Sequence, residues 1–229
     1  KEIRMNVTEK YGIKMKYNQF GDIVTENFED PDEKIAIDLF EKSVLDLKLK
    51  NKNVYSMIEL GSNFSYYSML FKKILEPDES LSILLEPYDK YMKTGKEHFE
   101  INNLEGVFLK ERIYNPIPWC NITFDCPSTT IDDLLERYGI EELDVLHSDI
   151  DKSEEYALIG AKNSLENKKI DTIFIMTHPD SIEESYSTHE NPTKLHIKCK
   201  TILLDYGYNL VYDHPECDLA GDGMLVFKK

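Results

Sequence analysis

Between residues 54 and 87 the chain runs Val54-Tyr55-Ser56-Met57-Ile58-Glu59-Leu60, turns at Gly61, and continues through a helix-like stretch over about 63–74. It then returns as Ser82-Ile83-Leu84-Leu85 before Glu86-Pro87. Short, nearly continuous apolar runs of this kind are strands buried on both faces. Two of them separated by one helix form a parallel pair with a right-handed crossover. An open α/β sheet takes its ligand beyond the carboxyl ends of its strands, so Gly61 and Glu86 are expected to face one crevice.

The same alternation continues on either side. Behind Asp30-Pro31, a cap followed by proline at the first helical position, Ala36, Leu39, Phe40, Val44 and Leu47 predict an amphipathic helix over about 33–50. A helix over about 88–103 precedes a strand from Gly106 to Ile113, and a long connection runs from Tyr114 to Thr129. Thr130 caps a helix beginning Ile131-Asp132-Asp133-Leu134-Leu135, and Leu143 to Asp151 reads as a strand ending in acid. One helix through Glu154, Ala157, Leu158, Ala161 and Leu165 leads to a strand from Ile170 to Met176. A further helix starts at Asn191-Pro192 and stops at Gly207, and strands Tyr208–Tyr212 and Met224–Phe227 close the chain. The expected architecture is α/β: a mostly parallel seven-stranded sheet with an antiparallel C-terminal hairpin at its edge and helices on both faces. Residues 1–50 form an N-terminal extension and a helix packing on the core, and 51–229 the main domain.

Acidic residues outnumber basic ones by 43 to 27, giving a net charge of -16, which argues against nucleic acid and anionic membrane surfaces as partners. No run reaches the roughly 20 apolar residues of a membrane span, and the N-terminus lacks a signal-peptide core. Cys120, Cys126, Cys199 and Cys217 have no metal-binding spacing and read as reduced thiols, so a cytoplasmic location is expected.

The Gly61 turn is not a dinucleotide fingerprint. That pattern needs three glycines to bring a pyrophosphate against the helix, and here Asn63 and Tyr66 stand in their places. A turn with one close approach suits a nucleoside ligand without a pyrophosphate, and Glu59 beside it suits a positive one. Glu86, at the next strand end, is placed to accept both hydroxyls of a ribose.

From about residue 54 to the C-terminus the chain resembles the FkbM family of S-adenosylmethionine-dependent methyltransferases. Glu59-Leu60-Gly61-Ser62-Asn63 is similar to the family's D-x-G-A-N turn, Glu86-Pro87 to its E-P, and Thr130-Ile131-Asp132-Asp133-Leu134-Leu135 to its T-L-D-D-L-L. Leu146 to Glu154 lies over its L-K-x-D-x-E-G-x-E, and Leu203 to Tyr208 over its late L-x-x-x-G-Y. The chain departs from the pattern at Glu59, Ser65, His147, Asp151 and Lys152, and Met176-Thr177-His178 replaces an E-x-H.

The resemblance implies a Rossmann-like class I methyltransferase fold over 51–229. It also implies S-adenosylmethionine held by Glu59, Gly61, Ser62, Asn63 and Glu86, and methyl transfer to a hydroxyl of a sugar or other small polar acceptor. The hydroxyl proton needs a general base or a divalent metal. Asp149 and His178 end neighbouring strands and are the catalytic candidates; an unperturbed imidazole titrates near about 6.5. Asp149, Asp151 and His178 could instead form one site for Mg²⁺ or Mn²⁺. Glu154 reads as a helix cap or as a group that orients a neighbour. Trp119 and the loop 180–191 are candidates for a substrate wall and a lid, whereas His98, His189, His196 and His214 have no evident partner. The competing classes are a cofactor-binding module without turnover and, against the missing glycines, a nucleotide-dependent oxidoreductase.

Overall fold

A computed structural model describes residues 5–7, 11–16, 31–75, 80–115, 125–179, 192–215 and 223–229. Strands β1 (Met5–Val7) and β2 (Lys14–Lys16) pair antiparallel ahead of helix α1 (Pro31–Lys48). The segment anticipated from its apolar spacing follows as β3 (Tyr55–Leu60), α2 (Tyr66–Leu75), β4 (Ser80–Leu85), α3 (Asp89–Ile101) and β5 (Val107–Leu109). Then come β6 (Arg112–Ile113), β7 (Ser128–Thr129), α4 (Ile131–Arg137), β8 (Leu143–Ser148), α5 (Glu154–Ile159) and α6 (Lys162–Glu166). The chain closes with β9 (Ile170–Thr177), α7 (Lys194–Asp205), β10 (Asn209–His214) and β11 (Gly223–Lys228).

Seven strands make one sheet in the order β10-β11-β9-β8-β3-β4-β5. It is parallel except for β11, which inserts antiparallel between β9 and β10, so the last strand lies inside the sheet and β10 forms the edge. Alternating side chains divide the core. Met57, Val145 and Phe174 pack under Phe40, Val44 and Leu47 of α1 and Met69, Phe71 and Leu75 of α2. Ile58, Leu60, Leu146 and Ile173 face the opposite way, against α4 to α7. The helix predicted from residue 33 thus shares a core with the sheet; its Asp30 cap lies outside the described residues.

Two predicted elements divide. The strand expected over 106–113 pairs with β4 only to Leu109, and Arg112–Ile113 then pairs with Ser128–Thr129 in a separate small ladder. Charged Lys110 and Glu111 mark the exit from the apolar layer. The helix expected from 154 to 165 breaks after Ile159. There Asp132 N donates to the Gly160 carbonyl at 3.0 Å, and a Cβ on Gly160 would lie 3.1 Å from that of Thr130. Asp132 accepts from Asn163 N and Ser164 N at 2.9 Å, so it caps α6, while Thr130 Oγ1 accepts from Asp133 N at 3.1 Å and caps its own helix. Thr130→Ala should cost about 1 kcal/mol in urea unfolding. The last helix begins at Lys194, two residues later than expected from Pro192, because Thr193 rather than Asn191 is its cap.

No helix among the described residues is long and apolar enough to cross a membrane.

Candidate active site

At the carboxyl ends of β3, β4 and β8 lies a cavity of about 340 Å³, within the usual size of a small-molecule site. Gly61 and Asn63 line one side, Glu86, Tyr88 and Tyr91 a second, and Asp149, Asp151 and His178 a third.

The Gly61 turn is pinned between strands. Gly61 N and Ser62 N both donate to the Leu85 carbonyl at 3.0 Å, and Asp149 N donates to the Leu60 carbonyl at 3.0 Å. Gly61 adopts φ +71°, and a Cβ there would sit 1.8 Å from the Asp149 carbonyl oxygen. Only glycine lets the ends of β3 and β8 approach so closely. Asn63 and Ser65 also lie in the left-handed region, at φ 41° and 63°, before α2 begins.

Glu86 bridges two backbone segments: Asn63 N donates to Oε2 at 3.0 Å and Tyr88 N to Oε1 at 2.9 Å. Each oxygen has a further lone pair with which to accept a hydrogen bond. Burial lifts this carboxyl above its ordinary value, although the Tyr88 and Asn63 amides hold it down in part. Tyr88 and Tyr91 stand edge to face at 5.9 Å beside it, which gives the crevice an aromatic wall next to a hydroxyl-accepting carboxylate. These are the groups that an adenosine moiety requires, so the residues present fit the cofactor that the sequence suggested.

Glu59 and Ser62 are placed differently from expectation. Neither lines the cavity. Strand parity puts Glu59 beside Met57, on the α1–α2 face, where it is 2% exposed and accepts from Ser68 N at 3.2 Å. Burial pushes its carboxyl up to about 8, outweighing the Ser68 hydrogen bonds, so it is predominantly neutral at pH 7. Across the strands its register partner is His147, buried and stacked on Tyr67 with ring centroids 4.1 Å apart. Burial pushes His147 down to about 4.

Asp149 and His178, from neighbouring strand ends, do come together: His178 Nε2 lies 3.2 Å from Asp149 Oδ1. Desolvation inside the crevice acts to raise the Asp149 carboxyl, although its side chain stays open to the cavity, and the hydrogen bond and charge of His178 outweigh it and leave the group below its usual value. Asp151 Oδ1 is 3.6 Å from the same nitrogen, and Glu154 Oε1 is 3.1 Å from Nδ1. Both ring nitrogens therefore face carboxylates. Asp149, Asp151 and His178, anticipated as a Mg²⁺ or Mn²⁺ site, are instead engaged with one another, both aspartates facing the same ring nitrogen. Among the described residues no group of three His, Cys, Asp or Glu side chains is disposed to hold an ion.

Glu111, Arg112, Asn115 and Ser153 also line the cavity and were not anticipated. Asn115 Nδ2 donates to Ser153 Oγ at 3.2 Å, closing the wall between β6 and α5. Of the remaining histidines, His98 Nδ1 meets the Phe64 carbonyl at 3.0 Å, and His196 lies between Thr177 Oγ1 and Asp213 Oδ1, 2.9 Å from each. Trp119, His189 and the loop 180–191 lie outside the described residues.

No family model matches the chain, and no curated protein matches its sequence. Among solved structures it is similar to the methyltransferase FkbM from Methylobacillus flagellatus, with 17% identity and a TM-score of 0.56 over 76% of this chain and 44% of that one. The METTL16 methyltransferase domain gives 17% identity and a TM-score of 0.54 over 96% of this chain and 75% of that one. Aeropyrum pernix fibrillarin, solved with natively bound S-adenosyl-L-methionine, gives 12% and 0.50 over 77% and 66%. The chain thus spans less than half of the FkbM chain and about two thirds of the fibrillarin chain. At these identities the likeness bears on architecture: the inserted antiparallel β11, the strand order and the two helical layers are those of the Rossmann-like class I methyltransferase fold.

Proposed function

We propose that this chain is an S-adenosylmethionine-dependent methyltransferase acting on a hydroxyl of a small polar acceptor, a sugar being the leading candidate. One observation carries the reading. One cavity joins Glu86, with both oxygens anchored by backbone amides, to the Asp149–His178 pair. Bound there, S-adenosylmethionine supplies an electrophilic methyl carbon that passes to the acceptor oxygen as its bond to sulfur breaks.

The protein's part is to hold and orient. Glu86 takes the ribose hydroxyls, Tyr88 and Tyr91 flank the base, and the Gly61–Asn63 backbone gives close approach without side-chain bulk. Asp149 and His178 accept the acceptor's proton, and fixing the nucleophile in line supplies several kcal/mol of the barrier. The order of the sequence blocks favours a relative of the FkbM group within this fold, and the net charge of -16 favours a small molecule over a nucleic acid as acceptor.

Calorimetric titration with S-adenosylhomocysteine and with NAD(H), followed by a sugar panel with labelled S-adenosylmethionine, tests the reading. Micromolar binding of the former and label transfer to an acceptor are expected. Stabilisation by NAD(H) alone would overturn it, and tight binding without transfer to any acceptor would favour a binding module. Glu86→Ala should weaken S-adenosylhomocysteine by about 10–100-fold, since a charged partner of hydroxyl groups is worth roughly 1.5–3 kcal/mol.

A further inference from the structure

Glu154 opens α5, where a carboxylate beside the positive end of a helix needs no special explanation. Its surroundings ask for one. The side chain has no solvent exposure. Oε1 accepts from Ile150 N at 3.0 Å and faces His178 Nδ1 at 3.1 Å, while Oε2 is buried without a hydrogen-bond partner among the described residues. A buried carboxylate with one oxygen unsatisfied is costly, and a structural cap could have been built on the surface. Asp149, by contrast, is 46% exposed and faces the other ring nitrogen from the cavity. The imidazole therefore spans a fully buried carboxylate and one open to the cavity.

We propose that Glu154 is a positioning residue: it permanently accepts the Nδ1 proton of His178, so that Nε2, beside Asp149, is the nitrogen through which protons enter and leave. This rests on the methyltransferase reading above. Glu154 Oε1 ties down two things together, the ring and, through Ile150, the loop that carries Asp149. Asp151 and Lys152 in that loop hold left-handed φ values of 47° and 74°, so the segment is folded tightly around this joint. The acceptor's hydroxyl proton passes to the Nε2–Asp149 pair and comes to rest between Nε2 and Oδ1. The charge left on the ring is balanced by Glu154 from behind. Burial raises the Glu154 carboxyl while the His178 hydrogen bond and charge lower it, with the balance above the usual value.

The test reads the ring directly and needs no acceptor. Protein labelled with ¹⁵N at histidine is followed by long-range ¹H–¹⁵N correlation up to the highest pH at which it stays folded. Nδ1 of His178 should keep a proton-bearing nitrogen shift throughout. Loss of that proton in the wild type overturns the proposal, and this measurement stands even if a variant fails to fold. In Glu154→Met, which removes the acceptor at similar volume, the neutral ring should carry its proton on Nε2; in Glu154→Gln, whose carbonyl still accepts, it should stay on Nδ1. An unchanged tautomer in Glu154→Met also overturns it. With an acceptor in hand, Glu154→Met should lower kcat by about 10²–10⁴-fold with little change in KM, the pattern of a base left in the wrong tautomer. Failure of the wild type to bind S-adenosylhomocysteine would instead sink the methyltransferase reading and leave the tautomer result intact.

Discussion

Gly61→Ala should abolish S-adenosylhomocysteine binding and destabilise the protein by roughly 2–5 kcal/mol, the sum of left-handed backbone strain and forced overpacking. The methyl group would lie 1.8 Å from the Asp149 carbonyl oxygen, and that atom belongs to the backbone, which cannot rotate aside. To admit it, the end of β8 must move away from β3. The Asp149 N to Leu60 carbonyl bond at 3.0 Å is then lost, and Asp149 is displaced from His178. A control separates contact from conformation. Gly139 has nearly the same backbone angle, φ +61° against +71°, but among the described residues nothing lies within 4 Å of a built Cβ. Gly139→Ala should cost only about 1–2 kcal/mol and leave binding intact. Urea unfolding and calorimetry on the two variants decide the matter, and equal losses in both would show that the approach of β3 to β8 does not build the site.

The reason Gly61 could be singled out beforehand is that strand ends are local. An apolar run stopping at glycine fixes both the end of β3 and the start of the crevice, and Glu86 follows by the same logic at the end of β4. The parallel pairing of these strands was legible too, because their runs are apolar on both faces. What the pattern hid is direction and meeting. Glu59 is next to the turn in sequence but, by the alternation of a strand, points under α1 and α2 rather than into the crevice. The wall of Glu111, Arg112 and Asn115 exists because the chain leaves the sheet after Leu109, and no periodicity marks where a strand changes partners. The junction of His178 with Glu154 joins a strand end to a helix start 24 residues earlier. Only the packing of α5 under β9 brings them together. Gly160 did carry a signal, a glycine inside a predicted helix, and its meaning, room for Thr130 and a carbonyl for Asp132, depends on another helix.

Glu59→Gln should stabilise the protein increasingly as pH rises, by roughly 2 kcal/mol more at pH 8 than at pH 6.5. The sign follows from which state holds the proton. Buried Glu59 is pushed up to about 8 from an ordinary 4.5, so between those values the folded protein keeps a proton that the unfolded chain has released. Its contribution to stability is full below pH 4.5 and is lost as pH climbs through 8. His147, its register partner, works in the opposite sense. Pushed down to about 4 from 6.5, it is neutral when folded while the unfolded chain takes up a proton, so its contribution is full above pH 6.5 and is lost as pH falls toward 4. Between 4.5 and 6.5 the two slopes oppose each other, and above 6.5 the Glu59 slope stands alone. A glutamine at this position still offers an oxygen to Ser68 N and has no proton to lose. Other titrating groups are common to both proteins and cancel in the difference of their urea midpoints at pH 6.5 and 8. A difference that does not change with pH would mean that Glu59 is already ionised in the folded state. The same variant asks whether Glu59 belongs to the cofactor site: its S-adenosylhomocysteine affinity should stay within threefold of wild type, because the side chain lies beneath α2 and outside the cavity.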